Sequence, residues 1–341
     1  RSLREGLGVK VLGIETSCDE TAVAVVDRET VLANLIASQV DVHERFGGVV
    51  PELASRAHVE ALTPLIDMTL ETAGCGFGEL DGVAVTVGPG LVGALLVGMA
   101  AAKSIALATG APLIGVNHLE GHILANAVDH GPELTPAVCL VVSGGHTMLV
   151  HMPEPHRYEL VGQTVDDAAG EAFDKIARFL GLGFPGGPAL DRLARDGDPN
   201  AIRFPRAMAD SGDFDFSLSG LKTAVLRHVK AERRAGRDVE PADLAASFQE
   251  AIVDVQVAKT IDAARDRRVE TVLLGGGVVA NTRLRERMEK AGAEAGFRVL
   301  FPSLDLCTDN GAMIAVAGTW RLLRGERTSL GVGADPSLEL G

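Results

Sequence analysis

Two short strand–turn–strand units constrain this chain more than any other feature. Residues 9–14 and 21–26 are apolar and rich in β-branched side chains, with Glu15-Thr16-Ser17-Cys18-Asp19-Glu20 between them. Residues 136–142 and 148–151 repeat the pattern around Ser143-Gly144-Gly145-His146-Thr147. Each unit reads as a strand, a polar turn and a returning strand. One grammar used twice, far apart in one chain, predicts an internal duplication. Apolar strands are also predicted at 83–87, 112–116, 271–274 and 299–302. Helices are predicted at 53–74, with a kink or break at Pro64, and at 166–180, 220–235, 241–264, 282–292 and 311–323. Residues 181–188 and 205–219 read as loops. Strands alternating with helices, in a chain with 40 glycines, make an α/β protein. A length of 341 residues suits one large domain or two halves sharing a cleft.

A net charge of −14 disfavours indiscriminate binding to nucleic acid or to a membrane surface. A polyanionic partner would need a local basic patch. Arg227, Lys230, Arg233, Arg234 and Arg237 form one basic run, and Arg265, Arg267 and Arg268 another. Such runs are usually solvated helix faces, and on an acidic chain they are the first places to look for a phosphate footprint. Cys18, Cys75, Cys139 and Cys307 form no C-x-x-C pair, which excludes a zinc ribbon or thioredoxin-type chemistry. They fit small buried hydrophobes in a reducing cytosol, so a cytoplasmic protein is expected. Residues 91–108 are the one long apolar run. Lys103 and the preceding Gly88-Pro89-Gly90 turn point to a buried core helix, not a membrane span. Residues 1–8 lack the apolar stretch of a secretory signal.

The chemistry centres on Asn117-His118-Leu119-Glu120-Gly121-His122. Histidines four apart share one face of a helix and can grip one divalent metal. They can equally line or cap a helix. Glu120 sits two residues after His118, a rotation of roughly 200°, so it points away from such an ion. It cannot serve as the base of a metalloprotease. In Thr308-Asp309-Asn310-Gly311, Asp309 is either a helix N-cap or a third ligand. Two histidines and one carboxylate form a facial triad suited to Fe(II) and also open to Zn(II).

The turn at 143–147 leaves backbone N–H groups uncovered, as an anion-binding nest does, and is equally readable as a plain hairpin turn. Gly275-Gly276-Gly277 follows a buried strand and precedes a helix with Asn281 near its start, which suits close approach of a nucleotide. It is neither a P-loop nor a Rossmann fingerprint. Acids gather at the helix start in residues 166–175, where they complement the helix dipole or accept from a ligand hydroxyl. Pro185-Gly186-Gly187-Pro188 with Asp191 could add backbone contacts and a carboxylate.

Taken in order, residues 13–21, 117–122, 143–147, 166–175, 275–281 and 307–313 closely resemble the TsaD family of tRNA N6-adenosine threonylcarbamoyltransferases, once labelled O-sialoglycoprotein endopeptidases. The resemblance runs over residues 9–330. It implies the duplicated actin/hexokinase/Hsp70-like (ASKHA) α/β fold, with two subdomains around a nucleotide cleft. Residues 9–117 with 306–341 would form the first subdomain, 118–305 the second, and 1–8 an extension outside the family pattern. It implies His118, His122 and Asp309 as metal ligands, Fe(2+) before Zn(2+). It implies substrate contacts at Val141, Val142, Ser143, Gly144, Gly145, Asp174, Gly187, Asp191 and Asn281. Glu15 matches an acidic position near the reacting group and is the expected proton acceptor.

The implied reaction moves threonylcarbamoyl from threonylcarbamoyl-AMP to N6 of the adenosine at position 37 in tRNAs reading codons that begin with A. The implied partners are tRNA, an inactive TsaB-like paralogue and a small TsaE-like P-loop ATPase, without a membrane. A small-molecule kinase of the same superfamily, a metalloprotease and a non-catalytic scaffold are the alternatives. A kinase would not need the histidine pair, and a scaffold would not need all three ligands.

Overall fold

The computed structural model describes residues 8–341. The expected extension at 1–8 therefore lies outside the described residues except for Gly8. The chain forms two units, the first reaching Glu133 and resuming at Pro302, the second running Leu134–Phe301.

The first unit contains β1 (Lys10–Glu15), β2 (Glu20–Asp27), β3 (Thr30–Ser38), α1 (Val40–Glu44), α2 (Pro51–Ala73), β4 (Gly82–Gly88), α3 (Val92–Thr109), β5 (Leu113–Asn117), α4 (His118–Leu124) and α5 (Asn126–His130). The second contains β6 (Ala137–Val142), β7 (Thr147–Met152), β8 (Glu159–Gln163), α6 (Ala169–Phe179), α7 (Gly186–Ala194), α8 (Ser219–Arg234), α9 (Pro241–Arg267), β9 (Thr271–Gly275), α10 (Thr282–Ala295) and β10 (Arg298–Leu300). The chain then returns to the first unit as α11 (Leu304–Cys307) and α12 (Gly311–Leu323).

The duplication is visible in the two sheets. The first has the order β3-β2-β1-β4-β5 and the second β10-β9-β6-β7-β8, the same arrangement read from the other edge. In each, the opening strand pairs antiparallel with its hairpin partner and parallel with a strand that follows a helix. Thus β1 pairs with β2 and β4, and β6 pairs with β7 and β9. A parallel pair needs a crossover, and a sheet covered on both faces reads as continuous apolar strands. That is why Ala137–Val142 is buried throughout.

In the first sheet, alternate residues of β1 face opposite layers. Leu12 and Ile14 join Leu62, Ile66, Leu95 and Met99 of α2 and α3 in one core. Gly13 faces the other way, onto α12. A Cβ on Gly13 would lie 2.4 Å from the Gly311 carbonyl oxygen and 2.5 Å from the Ala315 nitrogen. On the same helix, a Cβ on Gly318 would lie 2.3 Å from that of Ala84 in β4. The small residues of α12 thus let its backbone rest almost directly on the sheet.

Three expectations need correction. The unit boundary falls after Glu133, not after Asn117, and the return falls at Pro302, not at 306. The cause is packing: α4 lies against α12, with a Cβ on Gly121 only 2.8 Å from Ile314 Cδ1. The histidine helix therefore belongs to the first unit. Of the kink or break expected at Pro64, the break is absent: the proline lies inside α2, which is continuous from Pro51 to Ala73. Finally, α3 is a core helix on one face only. Ala94, Leu95, Gly98, Met99, Ala102 and Ala106 are buried, while Val92, Leu96 and Leu107 are exposed, Leu107 at 74%. By length and composition α3 is apolar enough to cross a bilayer, but its buried face is built into the packing of β4 and α2.

Candidate functional site

Helix α4 is started by Asn117, whose side-chain oxygen accepts from Leu119 N at 2.8 Å and Glu120 N at 3.4 Å. That cap fixes the first turn and puts His118 and His122 on one face, their rings 4.6 Å apart in an edge-on arrangement. At the start of α12, Asn310 is the cap, accepting from Met313 N at 2.9 Å. Asn34 Oδ1 accepts from Gly311 N and Ala312 N at the same helix end. The choice left open for Asp309 is thereby resolved: it is not the N-cap. Its Oδ1 instead lies 3.5 Å from His118 Nε2 and 3.1 Å from His122 Nε2.

The three residues offer ligand atoms within 4.8 Å of one another and could hold a metal ion. The donor set fits one. His122 is buried, its Nδ1 has no hydrogen-bond partner, and its Nε2 faces the Asp309 oxygen without hydrogen-bond geometry, an arrangement that suits a cation between the two groups. Glu120 points away, as the helical rotation requires, and is clamped by Arg321 at 2.6 Å.

Glu15, the expected proton acceptor, stands behind the first histidine. It is fully buried and both oxygens are engaged. Its Oε2 lies 3.0 Å from His118 Nδ1 and accepts from Thr86 Oγ1 at 2.6 Å, while its Oε1 accepts from Ser17 N at 2.5 Å. A carboxylate behind an imidazole fixes the Nδ1–H tautomer and frees Nε2 for a ligand bond. Burial raises the Glu15 carboxyl, but the neighbouring His118 and Thr86 outweigh it and leave the pKa lowered. Burial depresses the His118 ring, but Asp309 and Glu15 overrule it and raise it to about 9. The two carboxylates thus create a place that demands positive charge.

The turn after β1 carries acids that the sequence reading passed over. The Glu20 carboxyl is pushed up to about 7, mainly by burial and further by Asp19 and Asp309, against the opposing hydroxyl of Ser38 at 2.9 Å. Its Oε2 has no hydrogen-bond partner. Burial likewise raises Asp19.

The turn is held from beneath by a directional chain. Val50 N–H donates to His43 Nδ1 at 3.3 Å, so the His43 proton lies on Nε2, 3.2 Å from Gln39 Oε1. Gln39 Nε2 then lies 3.2 Å from His58 Nδ1, which also receives Thr21 Oγ1 at 2.8 Å. His58 Nε2–H is left to donate to the Cys18 carbonyl at 3.0 Å. Burial lowers the His58 pKa and keeps the ring neutral, as this tautomer requires. The partners of His58 lie up to 40 residues away, so no local pattern exposes the chain.

In the second unit, most of the expected substrate residues gather at the C-terminal ends of β6 and β9. Val141 and Val142 are buried in β6, and Ser143 N accepts its place in the turn by donating to the His146 carbonyl at 2.8 Å. Gly144 and Gly145 face open space. Gly276 has φ +98°, and a Cβ there would sit 2.3 Å from the Val142 carbonyl oxygen, so β9 meets β6 by backbone alone. Asn281 caps α10 through Leu284 N at 2.9 Å and donates to Gln249 at 2.7 Å. Asp191 accepts from Thr282 Oγ1 and Arg195 through Oδ2, while its buried Oδ1 has no partner. Asp174 accepts from Gly186 N at 2.9 Å and so steadies the start of α7, where Gly187 faces open space. Exposed glycines and a buried carboxylate oxygen without a donor are what a ligand's phosphate and hydroxyl groups would meet.

The model of one protein family, TsaD, described as tRNA N6-adenosine threonylcarbamoyltransferase, matches residues 30–316. A protein of that name from Moorella thermoacetica is 54% identical over 331 residues, covering 97% of each chain. One from Clostridium perfringens strain SM101 is 50% identical over 332 residues, covering 97% of this chain and 98% of its own. Among solved structures, HypF of T. kodakarensis matches with a TM-score of 0.65 at 15% identity, over 93% of this chain and 48% of that one. Component A of the (R)-2-hydroxyglutaryl-CoA dehydratase of Acidaminococcus fermentans matches with a TM-score of 0.54 at 15% identity, over 92% and 99%. These structural likenesses speak to the ASKHA fold alone.

Proposed function

The chain belongs to the TsaD family and is a tRNA N6-adenosine threonylcarbamoyltransferase, and from that premise we propose how its residues divide the work. The donor is threonylcarbamoyl-AMP and the acceptor N6 is that of adenosine 37, in tRNAs reading codons that begin with A. The observation that carries the reading is the convergence of His118, His122 and Asp309, with Glu15 behind His118. These three would hold one divalent ion, Fe(2+) before Zn(2+) by donor type. When bound, the ion supplies Lewis-acid polarisation of a phosphate or carbonyl oxygen.

An exocyclic aromatic amine is a weak nucleophile, so positioning and charge stabilisation must carry much of the rate. The new bond joins N6 to the carbamoyl carbon. The bond from that carbon to the phosphate oxygen breaks, and AMP leaves with the electron pair. The amine proton goes to Glu20, which closes the turn that begins at Glu15 and whose buried Oε2 has no hydrogen-bond partner. Glu15 is a positioning residue that orients His118. Val141, Val142, Ser143, Gly144, Gly145, Asp174, Gly187, Asp191 and Asn281 receive the acyl-adenylate.

An inactive TsaB-like paralogue is the proposed partner of the exposed apolar stripe Val92, Leu96 and Leu107 on α3, with a TsaE-like ATPase completing the set in the cytoplasm. A metalloprotease lacks its base, because Glu120 is held by Arg321. The test is metal analysis and nucleoside mass spectrometry on His118→Ala. The reading requires loss of both bound metal and tRNA modification, and full retention of either overturns it.

A further inference from the structure

We propose that the exposed face of α8 is the surface through which the second unit grips the phosphate backbone of the tRNA substrate. This rests on the acceptor being tRNA and adds where the chain holds it. Helix α8 carries five Lys and Arg residues and a single acid, Glu232, in a chain whose net charge is −14. Leu221, Val225 and Val229 bury one side of the helix. Thr223, Arg227, Lys230 and Arg234 are exposed and fall at the spacing of one helical stripe, with Arg233 beside them.

What separates α8 from the other basic runs is the absence of neutralising partners. Arg265 and Arg267 are paired with Asp262 and Asp266, which leaves Arg268 alone of that run without a carboxylate among the described residues. On α10, Arg283 and Arg287 are bound to the buried Glu250, and Arg287 and Arg206 to Asp254. Arg237, just past α8, is held by Glu232 at 2.5 Å. Among the described residues, Arg227, Lys230, Arg233 and Arg234 have no carboxylate within ion-pair distance. Like charges one turn apart repel by a few tenths of a kcal/mol per pair, so the stripe does nothing for the isolated helix. A polyanion laid along it removes that repulsion and releases counterions.

The experiment measures affinity of the full chain for an unmodified tRNA transcript as salt is raised from about 50 to 200 mM. Replacing Arg227, Lys230 and Arg234 by Glu is expected to weaken binding more than ~tenfold and to reduce the log–log salt slope by about 2 to 3. The triple Gln variant should fall between it and the parent. Replacing the paired Arg265 and Arg267 by Glu should change affinity less than ~twofold. Unchanged affinity and slope in the Glu triple variant, with its thermal unfolding also unchanged, overturns the surface. So does equal loss in the paired control, or a parent chain without salt-dependent binding. His118→Ala separates this from the enzymatic reading: it should lose transfer but bind tRNA with the parent slope.

Discussion

Glu15 Oε2 and His118 Nδ1 lie 3.0 Å apart, although 103 residues of chain separate them. The contact would let Glu15 orient His118 toward an ion, the positioning role proposed for it. Glu15→Gln is therefore expected to weaken metal affinity by about 10- to 100-fold, with much of the turnover recovered at saturating metal. Metal titration followed by tRNA modification at high metal checks this. Turnover that stays lost in the fully loaded variant returns Glu15 to the chemical step.

Glu20 should behave in the opposite way. A base must be deprotonated to act, and burial raises the Glu20 carboxyl above the ordinary range, so kcat should rise with pH on the acid side of neutrality. In Glu20→Gln that rising limb should vanish and kcat should fall by about 10²- to 10⁴-fold, with bound metal unchanged. A preserved limb in the variant assigns it to another group.

The buried chain ending on the Cys18 carbonyl predicts a stability effect. His58→Ala leaves that carbonyl and the Thr21 hydroxyl without this partner, reduces Gln39 Nε2 to a 3.5 Å contact with the Ala54 carbonyl, and opens a cavity. A loss of about 2 to 4 kcal/mol is expected by denaturant unfolding. A change below about 0.5 kcal/mol would mean the three groups find other partners.

Gly276 and Gly144 should respond differently to the same added methyl. Gly276→Ala forces φ +98° on a residue with a Cβ and drives that Cβ into the Val142 carbonyl, so a loss of about 2 kcal/mol or more is expected. Gly144→Ala meets nothing and should unfold like the parent, while KM for the acyl-adenylate rises. Parent-like KM in Gly144→Ala would place the ligand elsewhere.

Asp166 anchors the start of α8. It accepts from Ser217 and Ser219 hydroxyls at 2.6 and 2.8 Å and from Leu218 N at 2.7 Å. Although partial burial pushes the carboxyl up, these donors hold it down at about 2. A depressed pKa stabilises fully above the unfolded value near 4 and loses that contribution as pH falls through 2. Largely exposed, the group is worth about 1 kcal/mol after solvent screening. The stability gap between parent and Asp166→Asn should thus be present at pH 6 and close by about pH 2. A gap that persists at acid pH assigns the effect to packing.

The hairpins at Glu15–Glu20 and Ser143–Thr147 were legible because alternation and turn chemistry are local. The histidine pair was legible for the same reason, since helical spacing alone puts His118 and His122 on one face. What could not be read was whatever depends on contacts distant in sequence. The boundary was misplaced because α4 is claimed by α12, whose first residue lies far along the chain. Asp309 and Asn310 are both good cap residues, and only the position of Asn34 and the imidazoles decides between them. Glu15 looked like a free acid because His118 and Thr86 are invisible from its neighbourhood.

The glycines where α12 meets the sheet act as a spacer gauge for the metal centre. Asp309 rides just ahead of that helix, whereas the imidazoles ride on α4, so the spacing of the three groups that would hold an ion depends on how closely α12 lies on the sheet. A methyl at Gly13 would stand 2.4 Å from the Gly311 carbonyl oxygen, so the start of α12, and Asp309 just ahead of it, would have to shift. Residues remote from the ligand groups thereby take part in setting their spacing.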